Sequence, residues 1–171
     1  MSDLPTSAQD LRTEFRQAAG RFATGIAIVS TVHEGVDHAM TVNAFTSVSL
    51  DPLLVLFCPE KIARFHDVVL ESGQWAVSIL GTEAREASQW FATRGRPLAG
   101  QLDGWEIQRG QRTGAAIFSH AIAAVECRTY AVHDGGDHSI VVGEVLAVTE
   151  PSPEGGPLLY YSRNYRRLDD G

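Results

Sequence analysis

Two short stretches of this chain carry residue types suited to chemistry. The first, Thr41-Val42-Asn43-Ala44-Phe45-Thr46-Ser47-Val48-Ser49-Leu50-Asp51-Pro52, offers hydroxyls and a carboxamide among apolar neighbours. Successive side chains of an extended chain face opposite sides, so one side can join a core while the other lines a polar groove. Hydroxyls, carboxamides and backbone N–H groups hold phosphates and polar ring edges, and such bonds are strong when the acceptor is charged. A half-solvated strand entering an Asp-Pro turn has the same pattern, so this stretch alone leaves both readings open. The second stretch, His133-Asp134-Gly135-Gly136-Asp137-His138, lies between the apolar Ala131-Val132 and Ile140-Val141-Val142. Glycines between strand-like runs mark a hairpin tip, because glycine supplies the positive φ of tight turns. An imidazole at such a strand end can hydrogen-bond a carboxamide or stack on a ring; an exposed hairpin histidine is the plainer alternative. These are also metal-ligand residue types, but side chains on a tight tip diverge and no second cluster supplies a further ligand. No metal is expected.

Other chemistries are excluded by what the sequence lacks. No G-x-G-x-x-G and no G-x-x-x-x-G-K-[ST] occurs, so a nucleotide must be held by hydroxyls, amides and individual cations. Thr41, Asn43, Thr46, Ser47 and Ser49 offer such groups. Ser47 has no G-x-S-x-G context, and neither cysteine sits in a nucleophile motif. The 171 residues fit one domain, with a core over about 12–168, and the net charge of −7 argues against a nucleic-acid partner. The apolar runs are too short to span a bilayer, and residues 1–10 have no export signal. Two cysteines without a C-x-x-C spacing fit a reducing cytoplasm.

Taken together, Asn43 through Pro52 and Gly136-Asp137-His138 resemble the short-chain NAD(P)H:flavin oxidoreductases, the reductase components of two-component flavin-dependent monooxygenases. Gly20-Arg21-Phe22-Ala23-Thr24-Gly25 and Pro157-Leu158-Leu159-Tyr160-Tyr161 extend the likeness to both ends. The resemblance implies a mainly β fold with flanking helices, an antiparallel split β-barrel of the FMN-binding type, dimeric with flavin near the subunit interface. It places Asn43 and the backbone at Thr41 and Ala44 beside the ring or ribityl chain. Cys58, Pro59, Glu60 and the turn from Lys61 to Arg64 fall along the ribityl phosphate. The family often has Ser or Thr where Ala63 stands; Lys61 or Arg64 then either compensates or merely opens a solvated helix. His138 is placed at the nicotinamide.

The implied activity is NAD(P)H-dependent reduction of FMN or FAD, with the reduced flavin passed to a separate, transiently bound monooxygenase. NADH is favoured over NADPH because Asp134 and Asp137 would repel a 2′-phosphate. Hydride transfer needs alignment rather than a protein nucleophile, which agrees with the lack of a catalytic triad. The rivals are a split-barrel flavin or deazaflavin enzyme acting directly on a small substrate, and a non-catalytic flavin- or haem-binding module.

The elements that must position these residues follow from periodicity. Leu11, Phe15, Ala18, Ala19 and Phe22 recur at helical spacing, predicting a helix over 7–22 with Ser7 or Thr6 as N-cap. Strands are expected over 26–32, 38–45, 53–58 (buried on both faces), 74–80, 122–132, 139–149 and 158–161. Helices are expected over 62–72, ending at Gly73, and from Thr82 through Trp90-Phe91-Ala92. Residues 93–114 read as a long irregular loop, a length that points to a functional cover. Residues 151–156 form a turn and 168–171 a frayed tail. Trp75 and Trp90 are expected in the core. Seven strand-like runs joined mostly by short turns predict an antiparallel barrel with outer helices.

Overall fold

The computed structural model describes residues 7–168. Helical periodicity yields α1 (Ala8–Ala19), capped by Ser7, whose hydroxyl accepts the Asp10 N–H at 3.1 Å. The alternative cap Thr6 and residues 169–171 of the expected tail lie outside the described residues. The helix ends before Phe22 because its exit tightens: Arg21 and Phe22 donate to the carbonyls of Ala18 and Ala19, each at 3.0 Å. Next come β1 (Thr24–Gly25), β2 (Ala27–His33), β3 (Val36–Val42), β4 (Phe45–Leu50) and β5 (Leu53–Phe57). Helix α2 (Arg64–Ser72) ends on Gly73 at φ 65°, the left-handed cap that its sequence predicts. Strand β6 (Gln74–Leu80), a 3₁₀ turn (Thr82–Ala84) and α3 (Arg85–Ala92) follow. The remaining strands are β7 (Ile107–Arg109), β8 (Ala116–Phe118), β9 (Ala121–Gly135), β10 (His138–Thr149), β11 (Leu159–Tyr161) and β12 (Asn164–Arg166).

The main sheet is antiparallel, with seven strands in the order β3-β2-β6-β9-β10-β5-β4. Its two edge strands are consecutive in sequence, joined only by Asn43-Ala44. Laid flat, the edges would stand about 29 Å apart at ~4.8 Å per strand. The three Cα–Cα steps from Val42 to Phe45 reach at most about 11 Å. The sheet must therefore curl until its edges face each other. Since β3 and β4 do not pair, the curl stays open, giving a split barrel.

One core fills the curl. Val42, Val55, Phe57, Trp75, Val77, Cys127 and Val141 come from both halves of the sheet, and α2 adds Phe65 and Val69. Trp75 is fully buried, packs edge-on against Phe57 at 4.8 Å, and donates to the Thr129 hydroxyl at 3.1 Å. Gly143 makes this possible, because a Cβ there would stand 2.3 Å from the indole. A second core on the outer face of β2 joins Ile26, Ile28 and Leu80 to Phe91 of α3, Leu102 and Phe118. Alternate residues of β2 thus feed two cores, which explains its continuous apolar run.

Several expectations need correction. The described residues contain twelve strands rather than seven. The segment 93–114 is not wholly irregular: β7 pairs with β8, and side chains tie the segment down. Gln101 Nε2 donates to the Asp37 carbonyl at 2.5 Å, and Arg109 grips the Asp37 carboxylate, one contact being 2.7 Å. The buried Glu126 carboxylate accepts the N–H groups of Arg112 and Thr113 at 2.8 and 2.7 Å. Strand β5 buries only Val55 and Phe57; Leu54 and Leu56 face the outer side of the sheet and are half exposed. Trp90 is 39% exposed, on the side of α3 away from Phe91. No described helix is long and apolar enough to cross a membrane.

Candidate functional site

The split is where chemistry-bearing side chains collect. A cavity of ≈ 560 Å³ opens along the free edge of β3 and is lined by Thr41, Asn43, Ala44, Cys58, Glu60, Arg64 and His138, among others. Edge strands carry a row of unpaired backbone N–H and C=O groups, so the β3 edge offers the amides that the sequence pattern promised. The Cys58 N–H donates to the Ala44 carbonyl at 3.1 Å, tying the Asn43-Ala44 link to the chain after β5. Asn43 and Ala44 also line a second, larger groove of ≈ 890 Å³ on the other side, under α1.

Cations define one end of the first cavity. Arg64 opens α2, while Arg94 and Arg96 arrive from the chain just after α3. Arg96 donates to the Ala39 carbonyl and, at 2.9 Å, to that of Thr93; its guanidinium lies 5.4 Å from the Phe91 ring centre. Its Nε is buried without a hydrogen-bond partner. Burial, and secondarily the charge of Arg64, lower the Arg96 pKa from its ordinary value. Arg64 Nη2 in turn donates to the Arg96 carbonyl at 2.7 Å. Two guanidiniums held together, Arg96 half-buried and Arg64 exposed, form a site for an anion. Ala63, the N-cap of α2, provides no side-chain cap, so the first amides of that helix also face this end uncapped.

The opposite rim is the β9–β10 hairpin, which closes through Gly136-Asp137. His138 is half-buried, lines the cavity, and has Nδ1 2.7 Å from the Asp137 carboxylate. That contact holds the Asp137 pKa below its usual value. The tip is docked by backbone bonds: Lys61 N–H to Asp137 O at 2.9 Å and Ser139 N–H to Pro59 O at 3.1 Å.

Four expected site residues fall elsewhere. Lys61 lies outside the cavity lining; its ammonium pairs with Asp134, whose pKa it lowers, so it clamps the hairpin. This pairing also weakens the like-charge argument against a 2′-phosphate. Pro59 is fully buried and acts through its carbonyl. Ser47 is exposed and Ser49 half-buried on β4, across the split and outside both cavities. Ser49 Oγ instead accepts the Asp51 N–H at 3.2 Å. The Thr41 hydroxyl is engaged with the Ser88 carbonyl at 2.8 Å, leaving its backbone for the cavity. Conversely, Arg94 and Arg96 were not anticipated. They follow the α3 pattern by a few residues, and nothing local marks them as reaching the far edge of the sheet.

A cavity of this size, within the range of roughly 300–1,000 Å³ typical of ligand pockets, suits a nucleotide-sized group with a phosphate at its arginine end. Residues 19–169 match the family described as flavin reductase like domain. The reductase subunit HsaB of a flavin-dependent monooxygenase from Mycobacterium tuberculosis is 36% identical over 95% of this chain and 86% of its own length. The NADH-dependent FMN reductase SmoA of Agrobacterium fabrum is 39% identical over 90% of this chain and 84% of its own. Among solved structures, the NADH:FAD oxidoreductase SgcE6 of Streptomyces globisporus, in complex with NAD and FAD fragments, superposes with a TM-score of 0.89. It has 32% identity, covering 99% of this chain and 98% of that one. The open curl, the cavity along its split and these likenesses agree: the chain belongs to the flavin reductase like domain family.

Proposed function

We propose that this chain is an NADH-dependent flavin reductase that passes reduced FMN or FAD to a separate monooxygenase. The observation that carries this reading is the single cavity with arginines at one end, free strand-edge amides along its length, and His138 at the facing rim. The family match and relatives named as NADH-dependent reductases support it. Arg64 and Arg96 hold the phosphate end of the flavin, Arg94 being paired with the Glu60 carboxylate, and Asn43 with the backbone of Thr41 and Ala44 holds the ring end. Bound flavin supplies the acceptor for the hydride that NADH loses on becoming NAD⁺, together with a proton taken from water. His138 orients the nicotinamide at the rim. Positioning of this kind accounts for most of the gain in a reaction that needs no protein nucleophile.

The chain works as one unit over its whole length, and as a homodimer. Helix α1 is amphipathic yet has no buried residue, and it overhangs the larger groove. A second copy covering that face completes the structure near the Asn43-Ala44 link. Two free cysteines fit a cytoplasmic location. Anaerobic mixing of the flavin-loaded protein with NADH tests the proposal: the flavin absorbance must bleach, and a flavin left oxidised contradicts it.

A further inference from the structure

Behind the hairpin rim lies a buried relay that lines none of the cavities described. His66 on α2 and Ser139 on β10 are 8% and 5% exposed, and His66 Nε2 lies 2.8 Å from Ser139 Oγ. The other ring nitrogen, Nδ1, is 2.7 Å from the carboxylate of exposed Asp67. Serine, histidine and aspartate are the residue types of a hydrolytic triad. Ser139 is buried and faces no cavity, however, so this relay can hold but not attack. A carboxylate on Nδ1 fixes the ring orientation and leaves Nε2 to meet the hydroxyl. Ser139 is the neighbour of His138, and α2 is the helix whose first residue, Arg64, lines the same cavity.

We propose that His66 and Ser139 are positioning residues for nicotinamide binding, locking the start of β10 to α2 so that His138 stays at the cavity rim. The inference rests on the reading of His138 as the residue that meets the nicotinamide. The backbone bond from Ser139 to Pro59 fixes the register of the strand, while the His66 contact fixes its distance from the helix. Without that contact a buried hydroxyl or ring nitrogen is left unpaired, and the strand start shifts to find a partner.

The test uses the full-length protein and four variants: Ser139→Ala, His66→Gln, His138→Ala, and Ser139→Ala combined with His138→Ala. Ser139→Ala removes only the buried hydroxyl and leaves the backbone bond to Pro59 in place, so the fold is retained. It should raise the KM for NADH about tenfold, below the roughly hundredfold cost of a 1 Å misplacement. The calorimetric Kd for NAD⁺ should rise in parallel, with the Kd for FMN and FAD unchanged. His66→Gln, which keeps a nitrogen or oxygen within reach of Ser139, should retain most of the affinity for NAD⁺. In the His138→Ala background, Ser139→Ala should add nothing, because the two act in series. Equal losses in both backgrounds, or an unchanged Kd for NAD⁺ in Ser139→Ala, overturn the inference while leaving the reading of His138 intact. If His138→Ala alone leaves NADH and NAD⁺ unaffected, the reading of His138 falls and takes the inference with it.

Discussion

Arg96 has the surroundings that most plainly call for an anion, with a buried Nε lacking a partner and Arg64 close by. A hydrogen bond to a charged group contributes about 1.5–3 kcal/mol, so Arg96→Ala should raise the flavin Kd by roughly 10- to 150-fold. Riboflavin, which lacks the phosphate, should bind wild type and variant alike in a fluorescence titration. Equal losses for both ligands would assign Arg96 to the loop rather than to the ligand. His38, buried on β3, has its pKa lowered first by desolvation, then by the charges of His33 and Arg64, against a smaller opposing effect of Asp37. Below the ordinary value of 6.5 the unfolded imidazole takes up a proton that the folded one resists. The unfolded state then binds more protons, so stability from this group is present above that pH and is lost as pH falls. Melting curves across this range should show the loss, and His38→Asn should reduce it. Asn43 and His138 were legible because each sits in a patterned stretch, whereas Cys58 and Glu60, which share the cavity with them, were reached only through the family resemblance. Arg94 and Arg96 were not, since only the packing of α3 brings them to the split.

At the scale of elements, what the sequence hid was where its turn chemistry is atypical. The β9–β10 hairpin was readable from Gly135-Gly136, whereas β12 was missed because β11 and β12 are joined by Ser162-Arg163. Both residues are left-handed, at φ 48° and 63°, where Asn-Gly is the usual pair. A side chain in that region costs roughly 1–2 kcal/mol, partly offset by the greater unfolded-state entropy of glycine. Arg163→Gly should therefore stabilise the protein by about 0.5–1 kcal/mol, raising Tm by a few degrees in scanning calorimetry. A lower Tm would mean that the Arg163 side chain contributes more than its backbone costs. The segment 93–114 was half legible. Its length marked it as a cover, but its ties to Asp37 and Glu126 join residues distant in sequence and carry no local signal. β5 misled for a related reason: its apolar outer face, with Leu54 and Leu56, belongs to a surface this chain leaves half exposed.

For the whole molecule, that surface and α1 point to the same incompleteness. Leu11, Phe15 and Phe22 are 57%, 68% and 78% exposed on or just after a helix that buries nothing. Burying each such side chain is worth about 1.5–3 kcal/mol, which favours a second copy covering them. The wild type should sediment as a dimer at micromolar concentration, and Phe15→Asp with Phe22→Asp should shift it to monomer and weaken flavin binding. A fully active wild-type monomer would remove the dimer from this account. Release of reduced flavin as a product that acts elsewhere is tested by NADH oxidation against increasing free FMN and FAD. A released product requires many turnovers per chain, saturating with added flavin. Oxidation that stops at one NADH per bound flavin, indifferent to free flavin, would contradict it.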